Sequence, residues 1–163
     1  MVSKAHRNGR AMPGLRRPLL LIRGDDGGAA VEFGIVAPIF LLFVAGIAQF
    51  AFTFANYLFL TSAVMAGSQT FSVSRGTTSP WTGTVNAMVA SAPLLTSAQL
   101  TANITIKVNG TACTSDTSCA SSLNSATGET AVVTATYPCN LTIAGVNYAP
   151  GCTLASQVAQ VVQ

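Results

Sequence analysis

From Phe33 to Ser74 the chain contains no Asp, Glu, Lys, Arg or His, and this uncharged run constrains the fold more than any other feature. Its first part, Phe33 to about Phe54, makes a helix of roughly 33 Å at 1.5 Å per residue. The hydrocarbon core of a bilayer is about 30 Å thick, so the segment is long enough to span it. A single carboxylate, Glu32, stands at its mouth within Gly27-Gly28-Ala29-Ala30-Val31-Glu32-Phe33. In the headgroup region such an acid merely favours the first turn of the helix, by about 0.3–1 kcal/mol. Drawn into lipid it costs a few kcal/mol or more, and its counter-charge has to be named.

With 163 residues the chain accommodates one domain plus a membrane segment. Half of it is hydrophobic and 8% is charged, which sets it apart from ordinary soluble proteins. Its net charge of +3 hides a segregation. Lys4, Arg7, Arg10, Arg16, Arg17 and Arg23 precede the apolar run, whereas only Arg75, Lys107, Asp116 and Glu129 follow it. Basic residues beside one end of a spanning helix mark that end as cytoplasmic, so the C-terminal part is expected to be exported. A nucleic-acid-binding arm is the competing explanation of the leader, but its place beside a spanning segment favours the topological role. No nucleic-acid partner is expected.

Cys113, Cys119, Cys139 and Cys152 all lie in the expected exported part. An even number in an oxidising compartment suggests two disulfides with three possible pairings. The sequential pairing, Cys113 with Cys119 and Cys139 with Cys152, is preferred because each pair brackets a loop rich in Gly, Ser, Thr or Pro. Zinc is the alternative, but the spacings are not those of a C-x-x-C knuckle and no His accompanies them. Neither a metal nor another cofactor is expected.

Residues 1–27 read as a basic, Pro- and Gly-bearing leader. A helix is expected from Gly28 to about Gly67 or Ser74, containing Pro38 and leaving the membrane near Asn56 and Tyr57. Phe33, Phe40, Phe43, Ile47, Phe50, Phe54 and Leu58 form a bulky stripe on it, and Gly34, Ala37, Ala45, Ala48 and Ala55 a small one. Small residues permit close helix packing in lipid, although membrane helices are also simply rich in Ala and Gly. All eight Phe residues lie between Phe33 and Phe71, so the exported region, residues 75–163, is expected to have a thin core. Pro80 and Trp81 open a segment, Thr84 to Ala92, that reads as a second helix ending before Pro93. Leu100–Val108, Ala131–Tyr137 and Asn140–Ala144 read as strands, with Asn109-Gly110 as a turn. Thr111–Thr130 reads as a Ser- and Thr-rich loop held at its base by Cys113 and Cys119, and Thr153–Gln163 as a strand closing the sheet. The fold class is α+β: a long N-terminal transmembrane helix followed by a small disulfide-braced domain with a short helix and an antiparallel sheet.

A basic leader, a glycine at a cleavage point, and then Glu and an aromatic residue opening an apolar helix resemble the TadE-like minor pilins (pseudopilins) of tight adherence pili. The resemblance rests on Gly27 to Phe33, continued by Gly34-Ile35-Val36-Ala37-Pro38 and the run to Phe50. It implies cutting by a membrane-embedded, TadV-like aspartic prepilin peptidase between Gly27 and Gly28, which makes Glu32 the fifth mature residue. Cleavage after Gly28 instead leaves it fourth. The resemblance further implies an assembly motif at Glu32 and Phe33, helix packing through Gly34, Ala37, Pro38, Ala45 and Ala48, and a place in pilus assembly, surface adhesion and biofilm formation. Its implied partners are the major Flp pilin, other minor pilins, the inner-membrane assembly platform and lipid. The implied location is the bacterial inner membrane, single pass, N-terminus cytoplasmic and C-terminus periplasmic, with incorporation into the extracellular pilus. One departure is Gln49, where many relatives carry an acid near the outer end of the helix.

An enzymatic role finds little support, because the sole histidine, His6, lies in the leader and the exported part holds only Asp116 and Glu129 as acids. Two rivals to a pilus subunit remain. One is a secreted or membrane-anchored envelope binding protein, whose ordinary signal peptide needs an apolar core of only about 7–15 residues. The other is an anchored enzyme, for which Asp116 and Glu129 have to face one another across a cleft.

Overall fold

The computed structural model describes residues 26–143 and 145–163. Residues 1–25 of the expected leader, and Ala144 at the end of one expected strand, lie outside the described residues. The chain divides into two units, one running to Ala37 and the other from Pro38 to Gln163. Helix α1 (Asp26–Ser72) opens in the first and continues in the second, with Asp26 and Gly27 already in its first turn.

The second unit combines the rest of α1 with an α+β domain. Helix α2 (Pro80–Ser91) begins at a proline in the first turn, where the missing N–H breaks no helical bond. A short α3 (Ser97–Thr101) leads into strand β1 (Ile104–Val108). Strand β2 (Thr111–Cys113) and helix α4 (Asp116–Asn124) follow, then β3 (Thr130–Pro138), the two-residue strands β4 (Thr142–Ile143) and β5 (Val146–Asn147), and β6 (Thr153–Val161). The main sheet is antiparallel in the order β2-β1-β3-β6, while β4 and β5 pair only with each other. Ile106 faces Val133, and Val133 in turn faces Val158. The β1–β2 hairpin turns at Asn109 (φ 48°) and Gly110 (φ 79°), the positive-φ pair that suits a two-residue turn to twisted strands.

Two expectations need correction. Leu100 is not in a strand: it lies in α3, and β1 begins only at Ile104. The alternation Leu100, Ala102, Ile104 joins the buried side of a helical turn to the start of a strand, and Asn103 closes that turn by donating from Nδ2 to the Gln99 carbonyl at 2.8 Å. The expected loop 111–130 contains β2 and α4. Ser115 and Ser118 cap α4 reciprocally, each hydroxyl accepting from the other's backbone N–H, at 3.3 and 3.1 Å. Cys119 and Leu123, one turn apart, turn α4 towards the core.

That core draws its bulk from the long helix. Leu60, Val64 and Phe71 of α1 are buried together with Met88, Leu100, Ile106, Leu123 and Val133. A Cβ on Gly67 would overlap Met88 Cγ, so the Met88 side chain of α2 packs directly against the bare backbone of α1 at this position. The C-terminus is tied to the same helix by the Gln163 N–H donating to the Ser72 carbonyl at 3.0 Å. Cys113 pairs with Cys119 and Cys139 with Cys152, their Cα atoms 5.1 and 5.2 Å apart. The first disulfide joins β2 to α4, and the second closes the loop carrying β4 and β5.

Candidate functional site

In the unit that ends at Ala37, the residues singled out by sequence lie on the opening turns of α1. Gly27, Gly28, Glu32, Phe33 and Gly34 are exposed and Ala37 is half-buried. Glu32 stands one turn past Gly28, about 6 Å along the axis, so the two share a face. Among the described residues nothing lies within 4 Å of a Cβ built on Gly27 or Gly28. Packing among the described residues therefore does not require glycine at either position.

In the second unit, Pro38, Ala45 and Ala48 are exposed, as are Phe40, Phe43, Ile47, Phe50, Phe54 and Leu58 of the bulky stripe. A large apolar side chain left exposed on one continuous helix is suited to lipid or to other apolar helices rather than to water. Another face behaves differently. Gly46, Gln49, Thr53 and Asn56 are half-buried, and Leu60, Ala63, Gly67 and Phe71 continue the covered side into the core. The spacing of three and four residues is that of one helical stripe. Sequence reading missed this stripe, although its signal was present: the polar residues Gln49, Thr53 and Asn56 recur on one side of an otherwise apolar helix. Thr53 further returns its hydroxyl to the Gln49 carbonyl at 3.0 Å, which satisfies it within the helix.

The continuous helix of residues 26–72 is apolar enough to cross a membrane and has its glycines, acid and aromatic residue at its opening. Residues 27–69 match the family described as TadE-like protein. The chain carries a TadE-like segment. No curated protein and no solved structure matches the chain.

The TadE-like segment thus includes the whole exposed part of α1 and most of its buried part, ending between Gly67 and Phe71. The domain beyond it holds the two acids considered for catalysis. Asp116 is the first residue of α4, and its carboxylate reaches across to the start of α2, accepting from the Thr82 backbone N–H at 2.9 Å and from the Thr82 hydroxyl at 2.6 Å. The Thr82 hydroxyl, then its backbone N–H, hold the Asp116 carboxyl below the ordinary carboxylate range. Ser79, the residue preceding α2, makes no side-chain cap, so Asp116 caps α2 from another helix. Glu129 is exposed in the turn before β3. Arg75, just beyond α1, donates to the Thr127 hydroxyl.

Proposed function

We propose that the chain is a minor pilin (pseudopilin) of a bacterial tight adherence (Flp) pilus. The observation that carries this reading is the glycine, acid and aromatic series Gly27, Gly28, Glu32 and Phe33 at the opening of the TadE-like segment. A prepilin peptidase cuts between Gly27 and Gly28, and α1 holds the product in the inner membrane with the cysteine-bearing domain on the periplasmic side. Recruitment then occurs through α1, among the helices of the major pilin and other minor pilins at the assembly platform. The role is structural rather than enzymatic, and adhesion and biofilm formation follow from the fibre it helps to build.

The chemistry of the cut couples maturation to assembly. Cleavage creates an α-amino group with a reference pKa of about 7.7–8.0, largely protonated near neutrality. Paired with that ammonium on a neighbouring subunit, Glu32 enters a helical bundle without an unmatched charge. Breaking a buried pair by removing one partner costs about 3–5 kcal/mol. Phe33 packs beside the pair, and small residues at the cut let the protease approach the backbone.

The test is the mass and first residue of the protein recovered from membranes, with and without the peptidase. Gly28 as first residue, only when the peptidase is present, is the expected result; a cut within the region of Ala63–Ala66 supports an ordinary secreted protein instead. Glu32→Ala is expected to abolish incorporation into pili while the exported domain stays folded. Normal piliation by that variant refutes the pairing.

A further inference from the structure

The loop closed by Cys139 and Cys152 stands apart from the rest of the domain. Residues 140–151, Asn-Leu-Thr-Ile-Ala-Gly-Val-Asn-Tyr-Ala-Pro-Gly, carry no charge, and none of those described contributes to the buried core. Their strands pair only with each other, Thr142 with Asn147 and Ile143 with Val146. Much of the loop's backbone is satisfied internally: the Tyr148 N–H donates to the Leu141 carbonyl at 2.9 Å, the Ala149 N–H to Asn147 Oδ1 at 3.0 Å, and the Cys139 N–H to the Cys152 carbonyl at 3.0 Å. Val146 and Tyr148 are nevertheless 55% and 63% exposed.

The level at which this hairpin meets α1 decides what those side chains face. Ile143 Cδ1 lies 3.9 Å from the position of a Cβ on Gly46. Around Gly46 the helix presents an apolar concavity of about 370 Å³, lined by Leu42, Phe43, Gly46, Ile47 and Phe50. A spanning helix needs about twenty residues, and the twenty that follow Glu32 reach Phe52. Gly46 therefore lies within the apolar span, towards its exported end. A loop seated there is beside lipid, not beside bulk water.

We propose that the disulfide-closed hairpin is a second membrane contact, which seats Ile143, Val146 and Tyr148 in the outer leaflet of the bilayer beside α1. The two-strand pair leaves both of its outer edges open, so it enters no deeper than the level at which water and lipid headgroups satisfy them, with Asn140 and Asn147 at that polar boundary. A tyrosine, apolar in its ring and polar at its tip, suits the headgroup level. The inference rests on reading α1 as membrane-spanning.

The full chain, reconstituted in phosphatidylcholine and phosphatidylglycerol vesicles, tests it through single tryptophans placed in a Trp81→Phe background. Tyr148→Trp is expected to emit further to the blue than Leu94→Trp and to be quenched by lipids brominated near the ester linkage, with loss of quenching by aqueous iodide. Leu94→Trp, at a position 70% exposed on a different loop, is expected to show the reverse. Adding Val146→Asp to Tyr148→Trp is expected to return the indole to iodide. Phe40→Trp reports the helix independently through lipids brominated deep in the chain. Quenching at position 40 with none at 148 overturns the hairpin contact alone, and none at either overturns the spanning helix as well. Protection of the Tyr148→Trp indole from iodide only when other pilin subunits are added, without bromolipid quenching, assigns the loop to a protein interface and also overturns the proposal.

Discussion

Replacing Gly67 with alanine sets two opposing effects against each other, and the structure gives the sign. In an unobstructed helix interior, Gly→Ala stabilises by about 0.8–1.0 kcal/mol. At Gly67 the added methyl would overlap Met88 Cγ and meet Sδ at 2.8 Å, well inside contact distance, with Thr84 Cγ2 at 3.4 Å. Met88 is fully buried, so its side chain cannot swing out to solvent. Overpacking of this kind costs about 1–3 kcal/mol, which leaves a net destabilisation of about 1 kcal/mol. For a domain of this size that lowers Tm by about 4–8 °C. Truncating the obstacle reverses the sign. Met88→Ala alone costs about 2–5 kcal/mol, but adding Gly67→Ala to it restores about 1 kcal/mol, because the clash is gone and the helix preference remains. The cycle therefore carries a coupling of about 2 kcal/mol, within the range found for residues in contact. Gly83, within α2, has nothing within 4 Å of its built Cβ and serves as the control: Gly83→Ala is expected to stabilise by about 1 kcal/mol. Denaturant unfolding of the detergent-solubilised chain, followed by Trp81 fluorescence, measures all four. Stabilisation by Gly67→Ala both in the otherwise native chain and in the Met88→Ala background refutes the packing of Met88 against Gly67.

Phe71 is fully buried and Phe43 is 72% exposed, although both belong to α1. Phe71→Ala is expected to cost the domain about 3–5 kcal/mol in the same assay, and Phe43→Ala less than about 0.5 kcal/mol; equal effects would show that the core does not include the end of the helix. Because Thr82 lowers the Asp116 carboxyl in the folded state, the cap contributes stability above the unfolded pKa of about 3.9 and loses it as pH falls through the folded value. Tm of wild type minus that of Asp116→Asn is therefore expected to be positive at neutral pH and to vanish in strong acid, and a difference independent of pH refutes the cap. Gly110→Val places a branched side chain at φ 79° and is expected to destabilise the β1–β2 hairpin by about 1–2 kcal/mol, read as loss of amide-exchange protection across Ile106 and Cys113.

Much of the architecture was legible because single local rules sufficed for it. The uncharged run specified a long helix, Asn109-Gly110 a tight hairpin, and the alternation Ala131, Val133, Ala135, Tyr137 a strand with one buried face. Pro80 and Pro93 bracketed α2, since proline fits the first turn of a helix and disfavours helix in the residue before it. The polar composition of α4 hid it: its Ser-rich sequence has weak intrinsic preference, and the helix depends on the Ser115–Ser118 caps, the Cys113 bridge and burial of Leu123. The thin core expected from the scarcity of aromatic residues after Ser72 was also incomplete, because the domain takes Leu60, Val64 and Phe71 from α1.

Order along the chain was enough to establish a charged opening, an apolar helix and a cysteine-bearing region beyond it, since charge and hydrophobicity act on each segment separately. Only the tertiary arrangement decided which part of that helix stays exposed and which faces its own domain. Phe43 and Phe71 are chemically identical, and what distinguishes them is whether sheet and helices fold back to cover them. The same folding back brings Met88 against Gly67 and Ile143 towards Gly46, contacts between residues far apart in sequence that no local pattern specifies.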